Sequence, residues 1–257
     1  MSWDPSVYLR YADERTRPAL DLLVRVPLEA PARVVDLGCG AGNITEVLRR
    51  RFPAADVLGV DSSASMLERA RAAAPSCRFL AADLARWQPG EAPDLLYSNA
   101  ALQWLGEHET LLPRLFATLA PGGVFAVQVP AMHAAPIRAL QHEVAADGPW
   151  KERLAGVETA RAILSAERYW DILTAAGATG LDLWETIYLH ALPGEDAPVR
   201  WAMGTSLRPF LDRLDGPERE AFVAAYRARV DAVYPRRPDG VTLLPFRRLF
   251  FVARRAG

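Results

Sequence analysis

The stretch Val34-Val35-Asp36-Leu37-Gly38-Cys39-Gly40-Ala41-Gly42-Asn43 decides the fold. An apolar run that ends in an acidic residue and a glycine-rich turn describes a buried strand, followed by a loop tight enough for a ligand to touch backbone. Asp61 follows nineteen residues after Gly42, at the end of the next expected strand, where a carboxylate can accept hydrogen bonds from ribose hydroxyls. A nucleoside-containing cofactor is the first inference.

Spacing and charge then choose between two cofactors. A dinucleotide turn uses glycines in the pattern G-x-G-x-x-G and leaves a helix N-terminus free for a pyrophosphate. Here Gly38, Gly40 and Gly42 are followed by Asn43 where the third glycine of that pattern would fall. An anionic Asp36 would repel a diphosphate and attract the ammonium and sulfonium charges of S-adenosylmethionine. Three glycines alone could simply close a bend; the flanking acids make S-adenosylmethionine the expected cofactor.

Composition narrows the class further. The 257 residues can bury a substantial core, and 51% hydrophobic with 24% charged residues is ordinary for a globular protein. A formal net charge of -1 offers no bulk attraction to nucleic acid or to an anionic membrane. Cys39 and Cys77 are too few for a disulfide framework or a metal cluster, which suits a reducing cytoplasm and predicts no metal. The N-terminal Met1-Ser2-Trp3-Asp4-Pro5 has no export signature, and no apolar run approaches the roughly 18 residues of a membrane span. Lys151 is the only lysine, so the arginine excess reads as genome composition, and only particular arginines can be argued as carboxylate ligands.

Along the chain, Asp4 to Val24 reads as one or two helices, with Tyr8, Tyr11, Leu20, Leu22 and Leu23 on an apolar face. Arg33–Leu37, Val57–Val60, Cys77–Ala81, Leu95–Ser98 and Val124–Val129 are expected strands. Helices are expected at Asn43–Arg51, Ser63–Ala73 with Ser62 or Ser63 as cap, and Leu111–Leu119 before Pro121-Gly122-Gly123. This alternation predicts an α/β fold, a doubly wound Rossmann-like sheet, whose ligand crevice lies beyond the carboxyl ends of the strands. Beyond Pro130 come helices at Pro136–Ala145 and Ala166–Ala176, strands at Asp182–His190 and Phe246–Ala253, and a helical stretch from Pro193 to Pro235. The expected organisation is one methyltransferase domain over 1–257: an N-terminal helical segment 1–30, a cofactor-binding core 31–130, and a helical cap 193–240 inserted before the last strand.

At the crevice, Asp61 would bind the ribose, although it could instead cap the next helix. Asp83, after the third strand, could accept from the adenine amine, with Leu84 or Met66 packing the ring; a solvated turn aspartate and a core methionine are the bland alternatives. Asn99 could present its carbonyl or side chain to the cofactor's amino group. It lacks the adjacent prolines that nucleobase amino-methyltransferases place there, which counts against a DNA or RNA substrate. Trp104 either walls the site or fills the core.

The whole chain resembles the trans-aconitate 2-methyltransferases, a branch of the class I S-adenosylmethionine-dependent methyltransferases. The stretches that carry the resemblance are Trp3-Asp4-Pro5-Ser6-Val7-Tyr8-Leu9, Glu14-Arg15-Thr16-Arg17-Pro18-Ala19, Asp36-Leu37-Gly38-Cys39-Gly40, Gly59-Val60-Asp61-Ser62-Ser63, Trp87-Gln88-Pro89, Leu102-Gln103-Trp104-Leu105, Leu207-Arg208-Pro209 and Arg248-Leu249-Phe250. Two departures are Ala41 and Ile44 in the turn, where proline and serine are expected, and Ala131-Met132-His133, where an Asp-Asn pair is expected. The resemblance implies an antiparallel last strand and methyl esterification of one carboxylate of trans-aconitate, with release of S-adenosylhomocysteine. A carboxylate is already an anion at neutral pH, so the reaction needs no general base and no metal. Asp36, Gly38, Cys39, Gly40, Asn43, Asp61, Ser62, Met66, Asp83, Leu84 and Asn99 are the expected cofactor residues. Tyr8, Trp104, Tyr188, His190, Arg208 and Arg248 are the expected substrate residues, with Arg15 and Arg17 behind them; for each arginine the alternative is a surface ion pair, and for His190 a buried structural role. The rival functions are methylation of another small molecule, a non-catalytic S-adenosylmethionine-binding protein, and a nicotinamide oxidoreductase.

Overall fold

A computed structural model describes residues 16–157 and 163–257 of the chain. Seven strands form one sheet in the order β3-β2-β1-β4-β5-β7-β6. They are β1 (Arg33–Leu37), β2 (Asp56–Asp61), β3 (Arg78–Ala81), β4 (Leu95–Asn99), β5 (Val124–Pro130), β6 (Ala178–Pro193) and β7 (Val241–Arg255). The pairs among β1 to β5 are parallel. Arg255 N–H donates to the Gly123 carbonyl at the start of β5, and Ala131 N–H to the Arg247 carbonyl at its end, so β7 runs antiparallel. The central strands read as continuous apolar runs because both of their faces are covered: Val34, Leu37, Leu95, Leu96, Tyr97, Val124, Phe125 and Ala126 are fully buried.

Two compact units divide the described residues: 16–130, 163–186 and 249–257 in the first, 131–157 and 187–248 in the second. In the first, α1 (Arg17–Val24), α2 (Asn43–Arg51), α3 (Ala64–Ala73), α4 (His108–Phe116) and α7 (Ala166–Ala175) accompany the parallel strands. Tyr97 of β4 donates its hydroxyl to the Ala19 carbonyl, tying α1 to the sheet. Ser63 caps α3, its Oγ accepting from Met66 N–H at 3.4 Å. In the second unit lie α5 (Pro136–Ala146), α6 (Lys151–Leu154), α8 (Ala197–Met203), α9 (Arg208–Leu211) and α10 (Gly216–Val233). The stretch expected to be helical from Pro193 to Pro235 is therefore three helices.

The expected strands and helices match these elements, with shifted ends. α4 begins and ends three residues earlier than its apolar spacing suggests. After Phe116 the backbone tightens to i→i−3 bonds, Thr118 N–H to Leu115 and Leu119 N–H to Phe116, as helix ends often do. β6 and β7 extend past their expected ends, through Gly180 and Pro245. Proline is tolerated where a strand leaves one edge without a partner, and β7 meets the end of β5 at Arg247, short of Pro245. The expected helical segment from Asp4 and its residues Tyr8, Tyr11 and Arg15 lie outside the described residues.

Candidate active site

The glycine turn is built from backbone. Gly38 and Cys39 N–H groups both donate to the Val60 carbonyl of β2, at 2.7 and 3.1 Å, and Gly42 N–H closes the turn onto the Cys39 carbonyl. Gly38 has φ +74°, and a Cβ there would fall 2.2 Å from the Cβ of Ala101. Only glycine lets the turn lie against the end of β4. Gly40 also has positive φ, but a Cβ there would meet nothing within 4 Å: it borders open space. That space is a cavity of about 270 Å³ lined by Thr16, Asp36, Gly38, Cys39, Gly40, Ala41, Asn43, Ile44 and Asn99.

Asp36 and Asn99 line this cavity, and Asp61 is bonded to its Gly40 wall. Asp61, at the end of β2, accepts from Gly40 N–H at 2.9 Å through Oδ2 and from Ser63 N–H at 2.8 Å through Oδ1. It is thereby fixed to the turn and still has lone pairs for a diol. Asp36 is 2% exposed, and Thr45 donates its hydroxyl to Oδ2 at 2.6 Å. Burial, reinforced by the charge of Asp61 and opposed by Thr45, pushes its carboxyl up to about 7. Its anionic charge, which the sequence reading takes as permanent, is therefore conditional near neutral pH, because the protein around it supplies too little solvation. Asn99 carries a buried Oδ1 with no hydrogen-bond partner among the described residues. An acceptor left in that state is costly, and a cationic donor would satisfy it together with Asp36. The residues fit a nucleoside with an ammonium group. Beside Asn99, Ala100 is held at φ 54°, a strained value for a residue with a Cβ.

The remaining cofactor candidates, Ser62, Met66, Asp83 and Leu84, do not line this cavity. Leu84 is buried and lies 3.8 Å from the point a Gly38 Cβ would occupy. Arg114 of α4 holds the loop after β3, donating to the Leu84 and Trp87 carbonyls at 2.7 and 2.6 Å. Asp83 is exposed and accepts from Ala85 N–H at 2.9 Å, while Ser62 and Met66 are also exposed. Met66 thus does not serve the core. Trp104 is 71% exposed, on a 3₁₀ turn (Leu102–Trp104) that follows β4. Buried His108 anchors that turn, its Nε2 meeting the Leu102 carbonyl at 2.8 Å and its Nδ1 the Tyr169 hydroxyl at 2.7 Å. Since a carbonyl only accepts, Nε2 carries the proton and Tyr169 donates to Nδ1. Thr16, Ala41, Ile44 and Thr45 were not foreseen. Thr45 could have been: a hydroxyl in the first turn of α2 can reach back to the preceding strand.

The second unit holds a separate basic cluster on β6 and β7. Arg248 is 6% exposed, with its guanidinium 4.5 Å from the ring centre of Phe246 and 5.9 Å from that of Tyr188. Burial lowers its pKa to about 10. His190 stacks on Phe246 at 5.1 Å; burial, then the charge of Arg248, pull it down to about 4, so its ring is neutral at pH 7. Arg208 stands apart: it is exposed and lies 3.6 Å from Asp212, one helical turn on. Arg17 makes a similar 3.9 Å surface pair with Asp21.

A larger cavity, about 700 Å³, lies against β1 to β3 and is lined by Arg33, Leu58, Arg78 and Trp87 among others. Its arginines already pair with Glu91 and Asp56, and no residue at the carboxyl end of a strand lines it, so volume is a poor guide here. Among the described residues no group of three or more His, Cys, Asp or Glu is placed to hold a metal ion, and no helix is long and apolar enough to cross a membrane.

Residues 34–123 match a methyltransferase-domain family. Among solved structures, the chain is similar to the YcgJ protein of Bacillus subtilis, with TM-score 0.64 and 15% identity over 94% of this chain and 99% of that one. It is also similar to phosphoethanolamine N-methyltransferase 2 of Haemonchus contortus, solved with S-adenosyl-L-methionine, with TM-score 0.57 and 17% identity over 94% of this chain and 53% of that one. Among curated proteins, a trans-aconitate 2-methyltransferase of Paracidovorax citrulli is 52% identical over 99% of this chain and 98% of its own length. One of Methylobacterium nodulans is 53% identical over 98% of each. Identity at that level over nearly the full length leaves one conclusion: the chain belongs to the trans-aconitate 2-methyltransferase family.

Proposed function

We propose that the chain is an S-adenosylmethionine-dependent O-methyltransferase that esterifies one carboxylate of trans-aconitate. The observation that carries the cofactor half is the cavity at Gly40, where a buried Asp36 and the unpartnered Asn99 Oδ1 lie beside a turn open to a ligand. Asp36 and Asn99 take the ammonium group, with Gly38, Cys39, Gly40 and Asn43 as the backbone wall. Asp61 takes the ribose hydroxyls with Ser62 next to it, and Asp83, Leu84 and Met66 border the adenine. When bound, S-adenosylmethionine supplies a methyl group activated by a sulfonium.

The chain's task is then to position and shield. The attacking carboxylate is ionised at neutral pH, so no residue has to remove a proton, and His190, held neutral, is not needed as a base. Arg248, with Tyr188 and His190 around it, holds a substrate carboxylate; a desolvated guanidinium binds such a group far better than one in water. Tyr8, Trp104 and Arg208 complete the expected substrate set, Arg208 with the weakest claim because it is exposed beside Asp212. Alignment of this kind is worth about 7 to 11 kcal/mol in favourable cases. The setting is the cytoplasm, with a small carboxylic acid as partner and neither nucleic acid nor membrane involved, in keeping with the net charge of -1.

Incubation with S-adenosylmethionine and a panel of carboxylic acids, amines and phenols, read by product mass, tests this reading. Trans-aconitate is expected to gain one methyl group. Methylation of an amine or phenol but not of trans-aconitate would leave the cofactor reading standing and replace the substrate.

A further inference from the structure

Asp36 lines the cofactor cavity, and a side chain from behind that lining holds it. Thr45, in the first turn of α2, is fully buried and does not itself border the cavity. Its hydroxyl donates to Asp36 Oδ2 at 2.6 Å, inside the roughly 2.5 to 2.7 Å of a bond from a hydroxyl to an ionised carboxylate. A donor so placed stabilises the anion more than the acid. The other influences on Asp36 favour the acid: burial is the largest, and the like charge of Asp61 on β2 adds to it. Cys39 in the turn and Cys77 before β3 also feel Asp36, but burial raises both thiols, against a smaller effect of Thr45 on Cys39, and both stay uncharged near neutral pH. On β4, Tyr97 lies opposite Asp36 and donates its hydroxyl to the Ala19 carbonyl. Beside Thr45 on α2, Glu46 is paired with Arg50. Among the described residues no cation acts on Asp36, and Thr45 is the group that favours its charge.

We propose that Thr45 is a positioning residue for cofactor binding: its hydroxyl keeps Asp36 available as the anion that the cofactor's ammonium group meets, and so sets the lowest pH at which the chain takes up S-adenosylmethionine well. The inference rests on the ammonium group lying at Asp36, as read above. Asp36 must ionise in the empty protein before that charge can be met, and apparent affinity falls with the fraction of protein in the competent form. A threonine that merely packs would act alike at every pH.

Calorimetric titration of the full chain with S-adenosylhomocysteine from pH 6 to 8.5 tests it, on the wild type, Thr45→Val, Thr45→Ala and Thr45→Ser. Val and Ala remove the donor, and Ser keeps it. The ligand's own amino group titrates alike in every arm, so differences between the profiles report on the chain. Wild-type affinity is expected to rise through about pH 7, the value to which Asp36 is pushed. Without the donor that rise should move up by about one pH unit, so that Thr45→Val binds about five- to tenfold more weakly at pH 6.5 and within about twofold of the wild type at pH 8.5. Thr45→Ala should behave in the same way, and Thr45→Ser should follow the wild type. The stability lost in Thr45→Val should grow as pH rises, because the ionised carboxylate needs the donor most. A folded variant without the donor whose profile superimposes on that of the wild type, or lies below it equally at every pH, overturns this inference alone. A wild type whose affinity does not change with pH overturns the place of the ammonium group at Asp36 as well, and one that binds no S-adenosylhomocysteine overturns the cofactor reading with it.

Discussion

The cofactor cradle and the Arg248 cluster of the second unit are built in opposite ways. The cradle is backbone and strand ends: a glycine turn bonded to β2, and a carboxylate held by Gly40 and Ser63 N–H groups. The cluster is side chains brought together from β6 and β7, with Arg248 near the rings of Phe246 and Tyr188. A fixed cofactor can be met by a rigid backbone, where changes are costly. A substrate anion is met by replaceable charges, where changes are selective.

That contrast is most easily broken at Gly38. Gly38→Ala puts a Cβ 2.2 Å from Ala101 in a left-handed backbone, and should cost about 3 kcal/mol in denaturant unfolding and at least about a hundredfold in S-adenosylhomocysteine affinity. Gly40→Ala, with open space at its Cβ, should lose cofactor affinity with much less stability; equal destabilisation of the two would erase the distinction. Next in size, Arg248→Met is expected to raise KM for trans-aconitate about thirtyfold and leave S-adenosylhomocysteine binding intact. Its melting temperature should hold or rise, because a buried cation is lost without a cavity. Matching losses for substrate and cofactor would contradict the separation.

Asp36 sharpens the comparison through pH. Its carboxyl sits at about 7 in the folded protein, against an ordinary 3.8, so the native state keeps a proton that the unfolded chain releases. The stability due to this group is full below about 3.8 and declines as pH rises through 7, by a few kcal/mol at most. Asp36→Asn should flatten that slope in pH-dependent melting. The cationic cofactor prefers the ionised form, so its affinity should rise through pH 7, with proton release visible as a buffer-dependent heat. A heat identical in all buffers at pH 6.5 would count against it. Smallest of all, Tyr169→Phe leaves His108 Nδ1 without its donor and should cost about 1 kcal/mol. A two- to fivefold fall in kcat/KM with unchanged cofactor affinity is expected if the 3₁₀ turn bearing Trp104 shifts.

The same contrast explains what could be read from sequence. The parallel strands, the turn and Asp36, Asp61 and Asn99 stand at fixed offsets along a βαβ pattern, so their placement follows from local chain geometry. The conditional charge of Asp36 does not, because it depends on burial that only the folded sheet creates. Nor does the setting of Arg248, whose neighbours Phe246 and Tyr188 reach it only once β6 and β7 are paired. Conversely Arg208, in a stretch that resembles the family, lies on the surface beside Asp212. Side chains that meet through tertiary packing leave little trace in spacing.

The most direct test of the account is calorimetric titration of the full chain with S-adenosylhomocysteine and, separately, with NADH. The cradle around Asp36, Asp61 and Asn99 predicts one saturable site for S-adenosylhomocysteine and no heat with the dinucleotide. Binding of NADH with none of S-adenosylhomocysteine would contradict it.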